Sequence, residues 1–219
     1  MATVEEYKKE FLDIYNTYIT RDGAKELLEY LEKTDFFTAP ASSKFHSAFS
    51  GGLCMHSINV YKRFLRELQA EYGDELESKY SMESIAICGL LHDVCKINYF
   101  KEDTRNVKVN GEWVQQAYYT VDERLPYGHG EKSVIMLLTL GLKMTRDEML
   151  AIRWHMTAWE LAFHSPEQKS NLQIARDTAP LCTIIQAADG KLLQYCSYNK
   201  SQEMRYMISN DNGVTWEGD

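Results

Sequence analysis

Four apolar stretches of this 219-residue chain read as helices buried in a protein interior, and each is broken by a histidine or an aspartate. His56 lies in GGLCMHSINV, His92 and Asp93 in ICGLLHDVCK, His155 in MLAIRWHM and Asp189 in CTIIQAADGK. Burying such groups without partners costs several kcal/mol. A chain built this way must bring the interrupted helices together and give their polar groups something to bind. Singly, each is a satisfied core histidine or a helix-capping aspartate, and a lone His-Asp dipeptide means little, since composition yields roughly 0.3 of them by chance. Jointly, with His129, they form the nitrogen and oxygen donor set that suits Fe, Mn, Ni, Zn or Mg.

The rest of the chain gives these helices a frame. Val4, Tyr7, Phe11, Ile14, Tyr15 and Tyr18 recur at three- and four-residue steps, which predicts an amphipathic first helix. A second, shorter helix carries Leu27, Leu28 and Leu31, and residues 35 to 52 read as a loop. The helix with His56 runs from about Leu53 to Tyr72, and Ser81 caps the one ending near His92. Between Asn98 and Asp122 the pattern changes. Val107 and Val109 alternate, Asn110-Gly111 signals a tight turn, and Trp113, Val114, Tyr118 and Tyr119 follow, which predicts an inserted β-hairpin at about 104–121. Helical texture returns from Gly130 to Leu142. Thr145 to Glu148 form a capping box opening the helix of His155, and Pro180 opens the segment LCTIIQAADGKLLQYC. The last twenty residues, with Asn212-Gly213, read as a terminal hairpin or a loose tail. The expectation is an all-α chain forming one domain over 1–219, with its core at about 45–195 and a small inserted β-hairpin.

The formal charge is −8, so the broad positive field of non-specific nucleic-acid binders and membrane-surface proteins is missing, and any phosphate must be attracted locally. Cys54, Cys88, Cys95, Cys182 and Cys196 form no CxxC pair and sit mostly in apolar runs, which reads as reduced, packed thiols. No stretch has the ~20 apolar residues of a membrane span, and MATVEEYKKEF has no signal-peptide core, so the expected location is the cytoplasm.

In order and type, His56, His92-Asp93 and Asp189 resemble the H…HD…D signature of the HD superfamily of metal-dependent phosphohydrolases. His129 and His155 stand where its binuclear branches carry two further histidines. The resemblance runs from about Phe45 to Lys191, and FHSAFSGGLCMHSINV is similar to the HD domain of bacterial 3′-to-5′ exoribonucleases and to small phage and prophage HD hydrolases. It implies an HD-domain helical bundle in which Asp93 bridges two divalent metal ions, with His56, His92 and Asp189 on one and His129 and His155 on the other. It further implies attack of a metal-bridging hydroxide on a phosphomonoester or phosphodiester, such as a nucleotide or a short single-stranded oligonucleotide. Lys96, one turn after His92, would face the same pocket and neutralise a substrate phosphate, and His46 matches a histidine of the exoribonuclease-like pattern that would either support the metal ligands or contact substrate. Two departures narrow the transfer. No GYP motif follows His155 and Met156 replaces a second histidine, so a cyclic-di-GMP substrate is not carried over, and Cys95 stands where many relatives have glycine. Arg124, Lys132 and Arg153 read as surface residues, His164 as an exposed loop histidine, and Trp113, Tyr118 and Tyr119 as hairpin packing. The same six ligands also occur in the diiron oxygenases of the superfamily, and a metal-stabilised nucleotide-binding module without activity is the non-enzymatic alternative.

Overall fold

The computed structural model describes residues 3–44, 47–109, 111–156, 165–189, 192–197 and 204–209. In chain order its elements are α1 (Val4–Tyr18), α2 (Ala24–Lys33), α3 (Gly52–Tyr72), the short α4 (Leu76–Lys79), α5 (Met82–Leu91), β1 (Phe100–Val109), β2 (Glu112–Val121), α6 (His129–Thr139), α7 (Arg146–Trp154), α8 (Pro166–Thr178), α9 (Leu181–Ala188), β3 (Leu192–Ser197) and β4 (Met204–Ser209). The chain is mostly helical with an inserted antiparallel hairpin, as expected. Caps fix several helix starts. Thr3 with Glu6 and Thr145 with Glu148 make capping boxes on α1 and α7, and the Ser81 hydroxyl accepts from Ser84 N on α5. Each satisfies backbone N–H groups that a first helical turn leaves unpaired. The helix α8 lies outside the expected elements. Ser165 and Pro166 are sound start signals, but its apolar stripe is thin, with only Leu172 and Ala175 buried.

The core is organised by α5, whose residues from Ile85 to Leu91 are all buried, as a helix apolar on every side must be. It packs against α1, α3 and α7, while α3 also packs against α9, and α6 against α7. Two glycines permit the close approaches that matter for the site. A Cβ at Gly89 would lie 2.6 Å from Tyr61 Cα, so α5 rests directly on α3. A Cβ at Gly130 would lie 2.1 Å from the Arg153 carbonyl oxygen, so α6 rests directly on α7. The loop after α2 also enters the core. Phe36 and Phe37 pack edge-on against Phe11, with centroids 5.0 and 5.4 Å away.

The hairpin pairs from Phe100↔Val121 to Val109↔Glu112 and turns at Gly111, whose φ of +92° lies in the left-handed region that glycine tolerates. It starts four residues earlier than expected. Its strands are almost wholly exposed, so no core imposes an alternating pattern on Phe100 to Asp103. Trp113 is 71% exposed and does not pack as expected. Tyr118 and Tyr119 are half-buried, with Arg105 over the Tyr118 ring at 5.1 Å. Beyond α9 the expected helical continuation is replaced. Leu192–Ser197 forms β3, paired antiparallel with β4 from Leu192↔Ser209 to Ser197↔Met204. Asn212-Gly213 lies outside the described residues. Among the described residues, no helix is long and apolar enough to cross a membrane.

Candidate metal centre

Three of the six expected ligands are helix C-caps: His92 of α5, His155 of α7 and Asp189 of α9. The last turn of a helix leaves carbonyls without intrahelical partners. Two of these orient the imidazoles. His92 Nδ1 donates to the Gly89 carbonyl at 2.9 Å and His155 Nδ1 to the Ile152 carbonyl at 2.6 Å. A carbonyl only accepts, so Nδ1 carries a proton and Nε2 is the nitrogen left to face a metal. Helix C-termini carry partial negative charge, and three of them close to one point favour a cation there. His56 joins from within α3, His129 from the first residue of α6, and Asp93 directly follows His92.

These side chains meet around the Asp93 carboxylate, and its two oxygens divide them. Oδ2 lies 3.3 Å from His56 Nε2 and 3.5 Å from His92 Nε2. Asp189 Oδ1 completes that side, 3.0 Å from His56 Nε2 and 3.7 Å from His92 Nε2. Oδ1 lies 2.7 Å from His129 Nε2 and 3.5 Å from His155 Nε2. His56, His92, Asp93, His155 and Asp189 are all buried, whereas the His129 side chain is 23% exposed. The structure therefore brings together all six residues that the sequence singles out as ligands.

A metal ion fits this donor set on two counts. His155 Nε2 is buried with no hydrogen-bond partner among the described residues, although a buried polar nitrogen ordinarily has one. The Nε2 atoms of His56 and His92 face each other at 3.2 Å beside two carboxylates, an arrangement that calls for a shared cation. His56, His92 and Asp93 could hold a metal ion, and so could Asp93, Cys95 and His129.

Without a metal, protons take its place. Burial opposes charge on His56, but Asp189 and Asp93 outweigh it and raise its pKa. Burial opposes charge on His129 too, yet Cys95 and Asp93 raise that pKa to about 10. His155 goes the other way: burial, reinforced by the charges of His92 and His129, overcomes the pull of Asp93 and lowers it to about 4. Burial resists ionisation of Asp93, but Lys96 and the surrounding histidines hold its carboxyl well below the usual range. Lys96, opposed by burial, is raised by Asp93.

Lys96 Nζ lies 2.6 Å from Asp93 Oδ2 and the residue is 8% exposed, so it contacts the carboxylate itself. It is not among the residues lining the opening of the site. That opening is a pocket of about 90 Å³ formed by Cys95, Tyr99, Glu123, Tyr127, His129 and Lys132. Two of these revise the sequence reading. Lys132, expected on the surface, is buried because α6 packs against the turn after α5. Its Nζ donates to Glu123 Oε1 at 2.7 Å and lies 4.6 Å from the centre of the Tyr99 ring. Cys95, expected to be a packed core thiol, has Sγ 3.5 Å from both ring nitrogens of His129. The sequence signal was its place two residues after Asp93. Arg153 is half-buried, paired with Glu131 and stacked on Trp154 at 4.0 Å, whereas Arg124 is exposed and paired with Asp122 at 2.7 Å. His46 and His164 lie outside the described residues. No protein-family model, curated protein or solved structure matches the chain.

Proposed function

We propose that the chain is a metal-dependent phosphohydrolase of the HD superfamily, acting on a phosphomonoester or phosphodiester of the nucleotide or short-oligonucleotide class. One observation carries this reading: the Asp93 carboxylate turns Oδ2 toward His56 and His92 and Oδ1 toward His129 and His155. That is the disposition a carboxylate needs to bridge two ions, and the order H…HD…H…H…D on a helical frame agrees with an HD-type bundle. Divalent ions held there would supply a nucleophilic water at neutral pH and neutralise charge on the phosphoryl oxygens.

The chain's own groups define the rest. Asp189 and Asp93 contribute two negative charges, so two divalent ions would leave these ligands about +2, and still positive with one further anionic ligand, the local attraction that a chain of net charge −8 otherwise lacks. Lys96 holds Asp93 Oδ2 in place at 2.6 Å and keeps the carboxylate ionised. The pocket reaches the centre on the His129 side, where Tyr127 offers a ring face to a base and Lys132, paired with Glu123 at 2.7 Å, forms part of the wall.

The test is elemental analysis of protein purified without chelators, followed by a phosphatase and phosphodiesterase panel with added Mn²⁺. Two metals per chain and release of phosphate or nucleotide without oxygen uptake are expected. An iron pair that consumes oxygen and leaves every phosphoester intact would overturn the proposal in favour of an oxygenase.

A further inference from the structure

We propose that Cys95 is a thiolate ligand of the metal on the His129 side, so that the two metal sites differ in kind: an inner one of nitrogen and oxygen donors, and an outer one that is thiophilic. This rests on the two-metal reading above. Cys95 lies on the turn directly after Asp93 and is 2% exposed. Its backbone N–H donates to Ser133 Oγ at 3.3 Å, which ties that turn to α6 beside His129. The ligand atoms of Asp93, Cys95 and His129 lie within 4.8 Å of one another.

Sγ is 3.5 Å from His129 Nε2, the nitrogen that also approaches Asp93 Oδ1 at 2.7 Å. In a tetrahedral zinc site with Zn–S of about 2.3 Å and Zn–N of about 2.0 Å, the sulfur-to-nitrogen edge is about 3.5 Å. A second, independent feature points to the same place. His155 Nε2, on a wholly buried ring 5.4 Å from that of His129, has no hydrogen-bond partner among the described residues and lies 3.5 Å from Asp93 Oδ1. Cys95, His129 and Asp93 are then three donors around one position, His155 Nε2 stands beside the Asp93 oxygen they share, and coordination releases the thiol proton to solvent.

The consequence is selectivity. One soft thiolate among imidazoles and a carboxylate favours Zn²⁺ or Fe²⁺ over Mg²⁺ and Mn²⁺, whereas His56, His92, Asp93 and Asp189 give an inner site without sulfur. Cys54, Cys88 and Cys182 are buried elsewhere and take no part.

The experiment is a Co²⁺ titration of the full, metal-stripped chain, followed by absorption spectroscopy. Two equivalents should bind, the weaker one bringing the near-ultraviolet sulfur-to-cobalt charge-transfer band. Cys95→Ser should abolish the band, weaken the second equivalent about tenfold or more and spare the first, while Cys182→Ser should leave the band intact. Two bound equivalents without a band in the wild type, or a band that survives in Cys95→Ser, overturn the role of Cys95 and leave the two-metal reading standing. A wild type that binds only one equivalent overturns both. The wild-type spectrum decides the matter even if the serine variant folds poorly.

Discussion

Among the described residues, the buried polar cluster around Glu148 and the one around Asp93 are built on opposite plans. Glu148 is wholly buried, and each of its oxygens meets a donor: Oε1 accepts from Ser84 Oγ at 2.6 Å, and Oε2 from Arg21 Nη1 at 2.7 Å and Thr145 N at 2.8 Å. Arg21 goes on to Glu83 Oε2 at 3.2 Å and the Lys143 carbonyl at 3.0 Å. This network is closed and ties the start of α5 and α7 to the turn between α1 and α2. Around Asp93, by contrast, four imidazole Nε2 atoms and two carboxylates converge on one another, and His155 Nε2 has no hydrogen-bond partner among the described residues. A closed network holds a fold together; an open one has room for a cation that it does not itself supply.

The sharpest way to break this contrast is to remove the shared carboxylate. Asp93→Ala should take metal content from two ions per chain to none and phosphoester turnover to background, read by elemental analysis and the substrate panel; retention of both metals would refute the bridging role. The counterpart is Glu148→Ala, which takes the buried carboxylate from Arg21, Ser84 and Thr145 and leaves Arg21 paired with Glu83. Removing one partner of a buried pair costs about 3–5 kcal/mol, so denaturant unfolding should shift by that order while the folded protein still binds two metals. If Glu148→Ala instead lost metal at unchanged stability, the two clusters would not be separate in function.

A finer cut divides the open cluster itself. His129→Ala should lose one metal of two, because only the Oδ1 side of Asp93 uses that ring; loss of both would show that the sites fill as a unit. The pH response should follow from the same ring. With its pKa raised to about 10, His129 is protonated in the metal-free centre below that pH, so a metal must displace a proton. Affinity should therefore rise with pH, by about tenfold per unit for each displaced proton, between about pH 6 and pH 8. Calorimetry in buffers of different ionisation enthalpy would count the protons released. Without metal the sign reverses: the His129 proton stabilises the fold fully below about pH 6.5, and that contribution is lost as pH rises through about 10.

Five of the six candidate ligands were legible in the sequence because a polar residue in an apolar helical run is itself an anomaly, whereas His129, in LPYGHGEKSV, breaks no such run and was placed by the family resemblance. Cys95 was not legible, since a thiol in ICGLLHDVCK breaks no pattern and reads like Cys54 or Cys88. Lys132 and Glu148 sit in charged stretches that suggest solvent, and their burial follows from packing between helices far apart in sequence. The Thr145–Glu148 capping box was visible, but not that Glu148 also reaches across to Arg21 and Ser84. For β3, the run LLQYC after an apolar helix carries the same local hydrophobicity whether it coils on or pairs with a strand, and only the register with β4 separates the two.

The smallest expected effect lies on the ribbon, which belongs to neither cluster. A tryptophan on a two-stranded hairpin invites the inference that it is packed, and truncating a packed tryptophan costs about 3–5 kcal/mol. Trp113 is 71% exposed and sits across from Lys108. Trp113→Ser should thus change unfolding free energy by no more than about 0.5 kcal/mol and leave both metals bound. The ribbon's base gives a reason for that independence. The Asp122 backbone N–H donates to the Tyr99 carbonyl at 2.8 Å, and Tyr99 lines the pocket beside His129. Coupling of the hairpin to the site should therefore be confined to its root, and a Trp113→Ser variant that lost metal or several kcal/mol would show the tip to be packed against the body in solution.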